Sequence, residues 1–125
     1  MTIYDQRIIR LPAGRIDDVA SRIVGEAAAR IGPHGGRLFG VFKGLIGLSL
    51  NTAVVISEWP DEAVASRNGG VLIEGIDGAE VRDRDLWEPT TRPKPGERPT
   101  ETGGYYSHRA FDMNEGDWPR FLELT

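Results

Sequence analysis

Cysteine is absent from this chain of 125 residues. The absence excludes disulfide bonds, a thiolate nucleophile and a Cys-ligated metal. Basic charge is in deficit, since 15 Lys and Arg stand against 19 Asp and Glu and leave a formal net charge of −4. Nucleic acids and anionic membranes select basic patches, so we expect no nucleic acid and no membrane as a partner.

Long apolar runs are also missing. None approaches the roughly 20 residues that a membrane span requires. The first residues, "TIYDQRIIRL", mix polar and apolar positions and do not form a basic and then apolar leader. The sequence therefore predicts a cytoplasmic location. What is present, 39% hydrophobic and 27% charged residues, is typical of a globular domain that buries a core unaided.

Apolar periodicity predicts the secondary structure of residues 1–92. Residues 3–11 have the pattern of a strand, and apolar residues at steps of three and four from Arg15 to Ile31 predict a helix of about four to five turns. Further strands are predicted at 37–43, 51–59 and 79–89, with a short helix at 61–68. Residues 70–78 fit either another helical turn or an irregular segment. The order β-α-β-β-α-β is that of an α+β protein with the ferredoxin-like fold.

The opening pattern returns near the end of the chain. After a Pro/Thr/Gly-rich linker at 93–103, residues 104–125 repeat the strand, breaker and helix start of the N-terminus. Three positions are identical in the overlap, namely Tyr4 with Tyr106, Arg7 with Arg109 and Gly14 with Gly116. The alternative is that any two strand-breaker-helix units align this well. We favour a repeat, with one complete ferredoxin-like unit followed by the opening strand and first helical turns of another.

The stretches "YDQRIIRLPAGRIDDVASRI" and "YYSHRAFDMNEGDWPRFLEL" both carry a Tyr-x-x-Arg strand, a Gly-containing break and a helix start. In this they resemble the start of NIPSNAP-type members of the dimeric α+β barrel superfamily. The stretch "LNTAVVISEWPD" resembles the third strand of such domains. The resemblance implies a four-stranded antiparallel sheet with two helices on one face, whose open face is buried against a second such sheet to form a barrel.

The residues of the first strand agree with such a two-faced sheet. The last odd-numbered residues of this strand, Ile9 and Leu11, are apolar and suit a face covered by helices. The even-numbered residues Tyr4, Gln6 and Ile8 are mixed and suit a face that lines a partly polar cavity. A single such sheet would expose too much apolar area, so we expect it to pair. Because the second repeat is only partly present, we expect a homodimer.

Two kinds of residue in the repeated strands could act on a ligand. The guanidinium groups of Arg7 and Arg109 could anchor a substrate carboxylate, or they could pair with Asp5, Asp17 or an acid on a neighbouring strand. His108, on the predicted cavity face, is the histidine placed for acid–base catalysis. The alternative for His108 is a hydrogen-bonded histidine at an interface. The two histidines of the chain lie far apart and lack a spaced carboxylate, so we expect no metal.

Three further residues are candidates by type. In some oxygenases of the barrel superfamily an Asn, a Trp and a His line the pocket and handle O₂ without a metal, and Asn51 and Trp59 would supply the first two. Tyr4 lies on the predicted cavity face. Core packing is the alternative for both Trp59 and Trp87.

Two functions are consistent with these residues. In the first, a small aromatic or acidic organic molecule binds in the barrel pocket, and the protein acts as a cofactor-independent oxygenase or isomerase. In the second, the same fold serves assembly or interaction without catalysis. An open pocket with Arg7 or His108 facing inward would favour the first function, and a cavity filled by side chains would favour the second.

Overall fold

A four-stranded antiparallel sheet organises the computed structural model, which describes residues 2–44, 47–90, 94, 106, 108 and 112–124. The strands are β1 (Ile3–Arg10), β2 (Arg37–Lys43), β3 (Thr52–Trp59) and β4 (Glu80–Trp87). Their spatial order is β2-β3-β1-β4, and each neighbouring pair is antiparallel. The predicted α+β fold with an antiparallel sheet is therefore confirmed.

The predicted strands are confirmed to within a few residues. The segment 51–59 becomes β3, a central strand, because its β-branched and apolar residues are buried on both faces of the sheet. The segment 37–43 becomes the edge strand β2. The pairing of β2 with β3 shifts register between Leu38 and Gly40, which marks a bulge within the strand.

The predicted first helix is one helical run with a change of pitch. It comprises α1 (Ile16–Arg22), a π-helical segment (Ile23–Ala27), α2 (Ala28–Ile31) and a 3₁₀ turn (Gly32–His34). The most buried residues, Val19, Ile23, Ala27 and Ile31, are spaced by four throughout. Each step of four overshoots an α-helical turn by about 40°. The wider π turn corrects this drift and keeps all four residues on the sheet.

Helix α3 (Glu62–Asn68) begins one residue later than predicted. Asp61 is its N-cap, because the carboxylate of Asp61 accepts a hydrogen bond from the amide of Val64 at 2.9 Å. Pro60 therefore precedes the helix. After Asn68 the chain continues as a 3₁₀ helix (Gly69–Ile73), which confirms another helical turn in this part of the chain.

The hydrophobic core lies between the sheet and these helices. Its buried members from β1, β3 and the helical segments include Ile9, Val55, Trp59, Ile23, Ala65 and Leu72. Ile9 and Leu11 are 0% and 3% exposed, which confirms the helix-covered face predicted from the odd positions of the first strand. In the described part of the chain, no helix combines the length and apolar character needed to cross a membrane.

Part of the predicted second repeat can be compared with the structure. A 3₁₀ turn (Glu115–Asp117) and helix α4 (Trp118–Leu124) follow the predicted breaker, which confirms the helix start there. Most of the predicted strand at 105–113, including Arg109, lies outside the described residues. The same is true of nearly all of the predicted linker at 93–103. The repeat therefore stays a prediction.

Candidate functional site

The sheet has an open face, opposite the helix-covered one, built from alternate residues of its two central strands. In the antiparallel register Tyr4 lies opposite Glu58, Gln6 opposite Ile56, and Ile8 opposite Val54. Directly opposed residues share a face of the sheet. Tyr4, Gln6 and Glu58 are only 5%, 4% and 7% exposed. The open face therefore combines apolar with buried polar side chains, as the even positions of the first strand predicted.

Aromatic rings border the open face. The ring of Phe39 packs edge-on against Tyr4, with 5.6 Å between centroids. Phe42, opposite Val54 in the register, makes a similar contact with Tyr106 at 5.5 Å. Tyr106, the counterpart of Tyr4 in the predicted repeat, thus lies against this sheet through β2. On the other edge, Trp87 lies opposite Tyr4 and is 45% exposed.

The helix-covered face holds a buried ion-pair cluster of Asp5, Arg7 and Arg84, which we call the Asp5 cluster. The Asp5 carboxylate accepts hydrogen bonds from Nε of Arg7 at 3.0 Å and Nε of Arg84 at 3.1 Å. The side chain of Asp5 is 1% exposed, against 13% for Arg7 and 33% for Arg84. The predicted ion pair of Arg7 with Asp5 is confirmed. Asp17, another predicted partner, pairs instead with Lys43 at 3.1 Å.

Glycine lets the chain pass directly over the Asp5 cluster. A Cβ at Gly69 would lie 2.8 Å from Oδ2 of Asp5 and 3.1 Å from Nη2 of Arg7. The carboxylate cannot move away cheaply, because its hydrogen bonds to both guanidinium groups hold it in place. Any larger residue at position 69 would therefore displace the ion pairs. Nη2 of Arg84 also donates to Oγ of Ser66 at 3.2 Å, which ties β4 to α3.

Trp59 belongs to the core. Its side chain is 1% exposed on the helix-covered face, and its Nε1–H donates to Oγ of Ser57 at 2.7 Å. Gly36 packs so close to the ring that a Cβ there would lie 2.6 Å from it. Core packing, one interpretation of this residue, is thus confirmed for Trp59. The same interpretation is wrong for Trp87, because an edge strand leaves much of that side chain uncovered.

Asn51 lies at the end of the sheet. It lines a surface cleft of about 340 Å³ together with Arg10, Leu11, Pro12, Ala13, Gly78 and Glu80. Its backbone carbonyl accepts from the amide of Leu11 at 2.8 Å, so it also fixes the entry to β3 beside the exit from β1. This cleft is distinct from the open face.

The predicted site residues are therefore distributed over several places. Tyr4 lies on the open face, Arg7 and Trp59 lie on the helix-covered face, and Asn51 lies at the cleft. His108 is exposed, two residues after the Tyr106 ring that contacts Phe42. Arg109 lies outside the described residues. Among those that are described, no three His, Asp or Glu side chains group as a metal site.

The sequence interpretation missed Arg84 and Gly69. The alternation "RDRD" at 82–85 carried a signal, since it puts Arg82 and Arg84 at positions two apart in a strand. A Gly-Gly pair directly after a helix carried another, because it permits close approach of a neighbouring group. Neither signal predicts that Arg84 and Gly69 contact Asp5, because strand register depends on residues far apart in sequence.

Comparison with known proteins supports the fold. No protein-family model matches the chain, and no curated protein matches it significantly. An uncharacterised NIPSNAP-like domain protein from Burkholderia xenovorans has a similar structure, with a TM-score of 0.57, 25% identity, and coverage of 75% of this chain and 90% of that one. A protein from Agrobacterium tumefaciens is also similar in structure, with a TM-score of 0.51, 23% identity, and coverage of 71% of this chain and 94% of that one.

The sheet order β2-β3-β1-β4, with helices packed on one face, defines the ferredoxin-like class of α+β proteins. Within that class, the chain is similar in structure to NIPSNAP-like domain proteins, among them the one from Burkholderia. The resemblance predicted from its opening residues is confirmed.

Proposed function

We propose that the open face of the sheet binds a small aromatic organic molecule and that a second copy of the chain covers this face in a homodimer. The observation that carries the proposal is the mixed aromatic and polar character of Tyr4, Gln6 and Glu58 on the side of the sheet away from the core helices. Binding pockets for small molecules are typically apolar and aromatic with a few convergent polar groups. The open face has this composition.

The charges near the sheet favour an aromatic over an acidic ligand. Arg7, the predicted carboxylate anchor, is on the opposite face and is bonded to Asp5. The rings of Tyr4 and Phe39, in contact at 5.6 Å, would stack on or meet the edge of an aromatic ligand.

His108 is the residue that we propose for acid–base catalysis in a cofactor-independent oxygenase or isomerase. The contact of Tyr106 with Phe42 supports this role, because it brings the chain just before His108 to a strand of the same sheet. A histidine there would accept the proton that an aromatic hydroxyl loses on activation. Non-catalytic assembly through the same face is the second candidate, and the exposed ring of Trp87 favours it.

We expect catechol, a neutral aromatic probe, to bind the open face more tightly than benzoate. In a nuclear magnetic resonance titration it should shift the backbone amides of Tyr4, Gln6 and Val54, and dioxygen uptake in its presence should fall by about 100-fold or more in His108→Ala. Equal shifts with benzoate would contradict the charge argument. Binding without any uptake in the unchanged protein would support the non-catalytic candidate, and unchanged uptake in His108→Ala would remove that residue from the mechanism.

We expect Trp87→Glu to dissociate the homodimer. Trp87 is an exposed aromatic residue opposite Tyr4, and loss of an aromatic interface residue worth about 2 kcal/mol raises a dissociation constant about 30-fold. Light scattering over a concentration series measures this. Val24→Glu is the matched control, since Val24 is 58% exposed on the first helical run and should leave the dimer intact. An unchanged protein that is monomeric at micromolar concentration would refute the homodimer.

A further inference from the structure

We propose that the Asp5 cluster is a binding site for a small oxyanion, a carboxylate or a phosphate, held by Arg7 and Arg84. The cluster lies on the helix-covered side of the sheet, away from the proposed aromatic pocket on the open face. The proposal therefore does not depend on the function assigned to that face. It rests on charge, on the donors of the two guanidinium groups and on the glycines beside them.

The cluster holds one more positive than negative charge. Arg7 and Arg84 lie directly opposite each other in the pairing of β1 with β4, a position where like charges destabilise a sheet. Both bond to the same carboxylate, that of Asp5. With side chains 13% and 33% exposed, neither cation is fully hydrated. A bound anion would neutralise the surplus charge where water compensates it only in part.

Each arginine has donors available for that anion. Nε and Nη2 of Arg7 donate to the Asp5 carboxylate. Nε of Arg84 donates to the same carboxylate, and Nη2 of Arg84 donates to Oγ of Ser66. A guanidinium carries five N–H donors, two of them on Nη1. Within the described part of the chain, the structure shows no hydrogen-bond acceptor for Nη1 of either residue. These two nitrogens are the groups that would hold the anion.

A glycine and a hydroxyl group adjoin the two arginines. A Cβ at Gly70 would lie 3.5 Å from Nη1 of Arg7, so the missing side chain leaves that nitrogen uncovered. Oγ of Ser66 accepts from Arg84, and its own hydroxyl hydrogen can point to a ligand. Two guanidinium groups and a hydroxyl match an anion that presents two or three oxygens on one atom.

The test is a nuclear magnetic resonance titration of the whole chain with inorganic phosphate and, separately, with acetate, at an ionic strength held constant with sodium chloride. We expect either anion to shift the Nε–H signals of Arg7 and Arg84 and the backbone amides of Ser66 and Gly70. Arg84→Gln should weaken binding about tenfold or more, as expected for loss of a charged hydrogen-bond donor. Ser66→Ala should weaken phosphate binding more than acetate binding, because phosphate presents the third oxygen.

Arg82→Gln is the matched control. Arg82 is on the same strand, is 52% exposed and pairs with Glu80, so its loss should change the dissociation constant by less than about twofold. Equal weakening in Arg82→Gln, or the same shifts with chloride alone, would overturn the proposal. If Arg84→Gln does not fold, Arg84→Lys decides, since it keeps the charge but loses the planar fork. Unchanged affinity in a folded Arg84→Lys would also overturn it. Tighter binding of phosphate than of acetate, or the reverse, identifies which oxyanion the site prefers.

Discussion

Replacing Asp5 by Ala is expected to lower the free energy of unfolding by about 3–5 kcal/mol. Asp5 is fully buried and is the carboxylate that both Arg7 and Arg84 contact. Its removal would leave two guanidinium groups opposite each other with no compensating charge between them. Leaving these two cations uncompensated lowers the free energy of unfolding several times more than the loss of a surface ion pair does.

Urea denaturation measures this effect. Asp18→Ala is the control, because Asp18 pairs with Arg15 at 3.0 Å on the surface with its side chain 72% exposed. Its loss should change stability by no more than about 0.5 kcal/mol. Asp5→Asn should also destabilise, since the amide keeps the shape but not the charge. A change below about 1 kcal/mol for both Asp5 variants would show that water, rather than the carboxylate, compensates the arginines.

Replacing Trp59 by Ala is expected to cost about 3–5 kcal/mol, the range for removing a large aromatic residue from a core. The ring is 1% exposed and packs on Gly36, so the cavity left behind has little means to close. Trp59→Phe should cost less, about 1–2 kcal/mol, because it keeps most of the ring and loses the hydrogen bond to Ser57. Thermal or urea denaturation gives both values.

Trp118→Ala provides the comparison for Trp59. Trp118 stacks on Phe121 in α4 and is 40% exposed, so its loss should cost no more than about 1 kcal/mol. If Trp59→Ala kept its stability and instead lost affinity for an aromatic probe, Trp59 would be a ligand contact rather than a core residue. Both outcomes can be read from the same purified variant.

Local patterns along the chain were enough to predict the secondary structure. The spacing from Val19 to Ile31 predicted the first helix, and the alternation in residues 3–11 separated Ile9 from Tyr4 by face. These patterns depend only on near neighbours in sequence. The π-helical segment followed from packing instead, because four residues spaced by four must all reach one sheet.

The candidate site could be predicted only in part. The partner of Arg7 was among the residues weighed, since Asp5 is two positions away on the same strand and face. The hydrogen bond from Arg84 to Asp5 could not be predicted, because the two residues are 79 positions apart in sequence and are brought together only by the pairing of β1 with β4. Asn51, Trp59 and His108 match the pocket residues of some barrel-superfamily oxygenases only in residue type. In the fold, Asn51 lies at a surface cleft and Trp59 lies in the core.

The sequence by itself determined the types and order of the elements, the two faces of β1 and the resemblance to NIPSNAP-type proteins, because these depend on short-range periodicity and motifs. The tertiary structure decided what each charged or aromatic side chain does. Register placed Arg7 beside Arg84 with Asp5 between them, and packing buried Trp59 while leaving Trp87 exposed. Contacts between distant residues set register and burial, so only the folded chain could show that the charged cluster and the open face lie on opposite sides of one sheet.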